Sequence, residues 1–203
     1  MRRSALALVA VLACGIGLDA RAARQDAPPP ACVERLDELP LLAPTPPGKR
    51  KPKPLPFARH ASCFRHGDGS EEPVVLFALD QAAPFEIQAS IDNRQGKILA
   101  ARVEALDAQF ERIAAYPFDA FTRRGGMYSL SLFSNDPERP VRYVLVTIDP
   151  DAVGRFDQRL MSGVATFPLP GGAYNHAYES ALRSEMSDTG WIAIAVTPLT
   201  ETP

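Results

Sequence analysis

Pro84-Phe85-Glu86-Ile87-Gln88-Ala89-Ser90-Ile91-Asp92 is the stretch that decides how this chain folds. Phe85, Ile87, Ala89 and Ile91 alternate with polar residues, and a period of two places all four on one face of a strand and wets the other. The same alternation runs through Leu99, Ala101, Val103 and Ala105, and through Tyr128, Leu130 and Leu132. Val74–Leu79 and Tyr143–Ile148 are apolar on both faces, as enclosed strands are. Trp191-Ile192-Ala193-Ile194-Ala195-Val196-Thr197 closes the series, with Trp191 at the strand start in or near the core. Six or seven short strands punctuated by Gly, Pro, Asn and Asp predict an all-β fold, an antiparallel β-sandwich or jelly roll over residues 57–203. Helices are expected only at Tyr174–Met186, where Tyr174, Tyr178, Ala181 and Leu182 fall on related faces, and at Asp151–Met161.

Upstream of the β segment the composition changes. Ten of the 20 prolines lie between Arg24 and Phe57, and proline there favours extended geometry over a helix or a central strand. Residues 23–56 therefore read as a linker, interrupted by a short island in which Leu36 and Leu39 dock one helical turn onto the domain. The basic run Lys49-Arg50-Lys51-Pro52-Lys53 reads as part of the solvated linker.

Residues 1–22 read as an export signal: Arg2 and Arg3 precede the apolar run Ala5–Ala13, and Ala20-Arg21-Ala22 supplies a small-residue cleavage site. Cleavage there starts the mature chain at Ala23. Val11-Leu12-Ala13-Cys14 offers the alternative of a lipoprotein cleavage box, with lipidated Cys14 as the only membrane attachment. The expected address is the periplasm, or the outer membrane if Cys14 is lipidated. Either route leaves Cys32 and Cys63, an even number in a compartment that permits disulfides, and pairing them is their simplest use.

Charge argues against a nucleic-acid partner. Loss of Arg2, Arg3, Arg21 and Asp19 with the signal takes the net charge from −2 to −4, which gives no global attraction to phosphate. The sequence also lacks a Gly-x-Ser-x-Gly elbow, a His-Glu-x-x-His pair, a phosphate loop and a dinucleotide fingerprint. The reading is of a non-enzyme with no cofactor and no metal. His66-Gly67-Asp68-Gly69 with Glu71 and Glu72 has metal-ligating residue types in turn chemistry, and Asp149, Asp151 and Asp157 lack calcium-loop spacing. Aromatic residues are the better lead. Tyr116, Phe118 and Arg123 belong to one expected loop and Tyr174, Asn175 and His176 to another; exposed rings stack on sugar faces while Arg and Asn bond hydroxyls. If the rings instead cap the core, the site vanishes.

The export signal, the Cys32–Pro40 island, the Pro-rich spacer, Ile98–Leu106, Arg142–Thr147 and His176 before Gly190-Trp191-Ile192-Ala193-Ile194 together resemble the maltose operon periplasmic protein (MalM) family. That resemblance implies an exported accessory protein of carbohydrate uptake with no established enzymatic activity, and maltooligosaccharide as the ligand of the aromatic loops. The chain departs from the family in having a single Cys32 where relatives often show a pair, and in ending soon after Val196. The competing expectation is a structural or protein-interaction module of the cell envelope, docking an envelope protein and never touching sugar.

Overall fold

The structure, a computed structural model, describes residues 31–46 and 52–199. The expected signal segment with Cys14, and Lys49–Lys51 of the basic run, lie outside the described residues. Among the described residues fourteen strands follow in chain order: β1 (Leu41–Leu42), β2 (Leu55–Pro56), β3 (Ser62–Arg65), β4 (Glu71–Ala78), β5 (Phe85–Asp92), β6 (Lys97–Leu99), β7 (Ala101–Leu106), β8 (Arg112–Tyr116), β9 (Thr122–Arg124), β10 (Met127–Ser134), β11 (Tyr143–Ile148), β12 (Phe156–Leu169), β13 (Gly172–Ser187) and β14 (Trp191–Pro198). One sheet has the order β1-β4-β11-β7-β8, with β3 also on β4; the other runs β2-β14-β5-β10-β9. The fold is an all-β sandwich, as the alternation predicts.

The alternating stretch is the centre of the second sheet. Strand β5 pairs antiparallel with β10 on one side and β14 on the other along all eight of its residues. Phe85, Ile87, Ala89 and Ile91 are fully buried and pack in one cluster with Phe77, Val103, Val144 and Val146 of the first sheet. Burying a large apolar side chain contributes roughly 1.5–3 kcal/mol, so this face of β5 is a principal source of cohesion between the sheets. At Gly190, just before β14, an added Cβ would lie 2.7 Å from the Leu99 backbone nitrogen, so the chain passes where only glycine fits.

The Pro-rich stretch is not a free spacer. Strand β1 pairs parallel with β4, Thr45 bridges to Ala195, and β2 pairs with the start of β14. One proline-laden segment thus covers the edges of both sheets, a role that suits proline because an edge strand can spare an N–H. The island turns through a 3-10 helix at Leu36–Glu38 and buries Leu39 to 5 % exposure. There Leu39 joins Val74, Leu76, Leu106 and Leu145 in a second core on the outer face of the first sheet. Cys32 and Cys63 form a disulfide with a Cα–Cα distance of 4.4 Å, and Val33 bridges to Phe64 beside it. The expected boundary at residue 57 is therefore corrected: residues 31–46 and 52–56 belong to the sandwich.

Both expected helices are also corrected. Asp151–Met161 and Tyr174–Met186 fall largely in β12 and β13, which pair antiparallel over fourteen residue pairs, Phe156 opposite Glu185 to Leu169 opposite Gly172. Tyr174, Tyr178 and Leu182 are spaced by four, which fits one face of a helix and one face of a strand equally well.

Two outcomes test this account. Replacing Cys32 or Cys63 by Ser is expected to cost roughly 2–4 kcal/mol by freeing a 31-residue loop in the unfolded chain, read as a lower denaturant midpoint. Gly190→Ala is expected to cost about 1–3 kcal/mol, because the atoms it meets are N, Cα and Cβ of Leu99, none of which can rotate away; an unchanged midpoint contradicts it.

Candidate functional site

Between Arg159 and Arg183 the chain contains no lysine, arginine or aspartate and one glutamate, Glu179, with His176 the one other titratable group besides the tyrosines. In a globular protein such a stretch belongs inside, yet here it is outside. Strands β12 and β13 form a two-stranded arm whose side chains are exposed on both faces from Leu160 to Leu182. Leu160 is 80 % exposed, Val164 65 % and Tyr174 55 %. At about 3.3 Å per residue, the paired portion is roughly 45 Å long, and among the described residues its one other strand partner is β6, which pairs parallel with Glu185–Ser187 at the base.

Pairing register sorts the arm into two faces. Residues directly opposite each other share a face, so Met161, Phe167, Tyr174, His176, Tyr178 and Leu182 line one side. The Phe167 and Tyr174 rings lie 6.5 Å apart with their planes inclined by 27°, and those of Tyr174 and His176 6.4 Å apart with planes inclined by 24°. Tyr178 lies across Gly163, where an added Cβ would meet its ring at 2.7 Å. The other face carries Leu160, Val164, Ala177 and Ala181 with Ser162, Thr166, Asn175 and Glu179; Thr166 Oγ1 donates to Asn175 Oδ1 at 2.8 Å.

A polar cluster fixes the base of the arm to the body. Arg123 of β9 donates to Asp157 of β12 at 3.0 Å, and Arg155 pairs with Asp119 at 2.8 Å. Asn93 donates to Ser184 Oγ at 2.7 Å. Tyr128 of β10 is buried at the same place. Burial, and then the adjacent Asp157 carboxylate, push its phenol up to about 12, since both favour the neutral form.

The six expected sugar-site residues are divided by this geometry. Tyr174 and His176 are exposed on one face near the tip of the arm, and Asn175 is exposed on the other. Phe118 is a correction: it is 2 % exposed and packs against Phe121 and Tyr128, in the core. Tyr116 is half-buried against the same core, and Arg123 is held in the ion pair at the arm base. Ten strand residues separate Asp157 from Phe167, about 33 Å, so the two loops do not form one platform. Trp191 is half-buried at its strand start, with the Arg94 guanidinium 5.4 Å over its ring.

The remaining candidates are structural. His66 to Ser70 is a hairpin turn closed by His66 N–H to the Ser70 carbonyl, with Asp68 accepting from Ser70. Asp149 accepts from the Phe118 and Asp151 N–H groups. Among the described residues, the one grouping with metal-ligand proximity is Cys32, Cys63 and Glu71, whose sulfurs are bonded to each other. No family model, curated protein or solved structure matches the chain.

Because the folded pKa of Tyr128 is raised, the stability it contributes is complete below the unfolded value of about 10 and is lost as pH rises towards about 12. An ultraviolet phenolate titration is expected to show a step near that upper value. Tyr128→Phe should remove the step and flatten stability across the same window; retention of the step overturns the assignment.

Proposed function

We propose that this protein is a non-catalytic interaction module of the cell envelope, exported to the periplasm, whose β12–β13 arm docks onto an envelope protein. The observation that carries the reading is the arm itself: an apolar, nearly uncharged hairpin held away from the body and exposed on both faces. Contiguous exposed apolar surface beyond a few hundred Å² marks interaction sites in soluble proteins, and an isolated two-stranded ribbon gains stability when something packs on it. The Cys32–Cys63 disulfide is compatible with an oxidising compartment. The ion pairs at the base favour a presented arm, since they hold its root while leaving its faces free.

The second reading, a maltooligosaccharide surface, has one observation in its favour: the exposed row of Phe167, Tyr174 and His176 on a flat face. Rings so arranged can stack on consecutive sugar units. Without Phe118, Tyr116 and Arg123 it would be a shallow site of weak affinity.

Photo-crosslinking separates the two. With benzoylphenylalanine in place of Tyr174, irradiation in the intact envelope should give a discrete protein adduct, while the same group at Arg112 on the body should not. Absence of an adduct at Tyr174 overturns docking. Calorimetric heat with maltoheptaose that Tyr174→Ala abolishes would instead establish the sugar reading.

A further inference from the structure

Docking through the faces of the arm leaves a second feature unexplained, its edge. Among the described residues β12 pairs only with β13, which leaves its outer edge without a partner there along all fourteen residues, from Phe156 to Leu169. Native proteins blunt such an edge with lysines, inward charges, bulges or brevity. Beyond its base this one has none of these: the register is continuous, no lysine occurs on β12, and its charges, the inward Asp157 and Arg159, both sit at the base. Pro168 is the sole interruption and lies beside the tip, where a ladder can end.

We propose that the β12 edge pairs with the β12 edge of a second copy of this chain, antiparallel about a two-fold axis, to make a four-stranded sheet from two arms. The proposal rests on the reading of the arm as a docking element and adds one partner. A second copy brings an edge of the same length with the same charge-free middle, and charge placement selects the direction. Antiparallel pairing sets the base of each arm beside the tip of the other, so Asp157 and Arg159 face the uncharged Phe167–Leu169 end and no charge meets its like. A two-fold axis generates this arrangement from one surface, with the middle of the strand, Ser162 and Gly163, at the axis. The β13 edge is a poorer candidate, because Glu179, Arg183 and Glu185 lie along it and β6 already covers its base. A bilayer is disfavoured for a single arm, since two unpaired edges would leave backbone groups unsatisfied in hydrocarbon. Pairing also joins the two aromatic rows into one broader face, which then serves the envelope partner.

Light scattering on the purified exported protein is expected to give twice the chain mass. Val164→Lys and Leu160→Lys, at exposed positions, place gatekeeper charges on the edge and should give monomers with an unchanged melting temperature. Ser162→Cys, next to the axis, should form an intermolecular disulfide in the wild-type background, whereas Leu169→Cys at the tip should not. A monomer at every concentration overturns the proposal, as do lysine variants that remain dimeric, or cross-linking at Leu169→Cys in preference to Ser162→Cys. A Tyr174 adduct with a different protein from a chain that is itself monomeric would sink self-pairing and leave the docking function standing.

Discussion

Unpaired strand edges are the constraint from which the rest of this structure follows. A sheet satisfies its interior backbone groups by pairing, and each outer strand leaves a row of N–H and C=O groups over. In the sandwich body, the two-residue strands β1 and β2 cover β4 and β14. Their proximity in sequence means one segment protects both sheets, and the Cys32–Cys63 bond anchors its start. That anchoring explains why Leu39 can be buried on the outer face of a sheet that would otherwise stay wet: the turn carrying it is short and makes few contacts, so tethering lowers the entropy lost in docking it.

Loops in the body are held by buried carboxylates rather than by regular structure. Asp107 accepts from the Gln109 and Glu111 N–H groups and from Arg139. Burial pushes its carboxyl up, yet the Glu111 N–H, the Arg139 guanidinium and the Gln109 N–H together outweigh that and hold it below the usual carboxylate range. Asp149 plays the corresponding part after β11, accepting from Phe118 N–H across 31 residues at 2.7 Å. Phe118 is thereby fixed inward, and the arm base, built from the neighbouring Asp119–Arg155 pair, inherits a rigid footing.

Sequence patterns revealed the parts of the fold where one period acts alone. Phe85–Asp92 and Tyr143–Ile148 are strands with the boundaries that alternation and continuous apolarity indicate. The two-residue strands escaped notice because two residues cannot display a period, and their prolines read as spacer. The arm reads as helix in the sequence because Tyr174, Tyr178 and Leu182 satisfy both periods, while its charge-poor composition resembles interior sequence. For the candidate site, exposure of Tyr174 and His176 was accessible to reasoning, whereas the inward turn of Phe118 depends on Asp149, a partner far away in the chain.

The contrast between body and arm gives the arm its meaning. The same chain that sets Pro40, Pro44, Pro46, Pro52, Pro54 and Pro56 along the segment covering two sheet edges leaves a far longer edge with, among the described residues, Pro168 alone near its tip. Polar substitutions at Leu160 or Val164 carry no folding cost in the isolated chain, since those side chains are already in water. Bulky apolar residues at such positions lower solubility and add little to the stability of the isolated fold. Their presence is accounted for when they are covered in the working assembly, and the ion pairs at the base then set the direction in which the arm is presented.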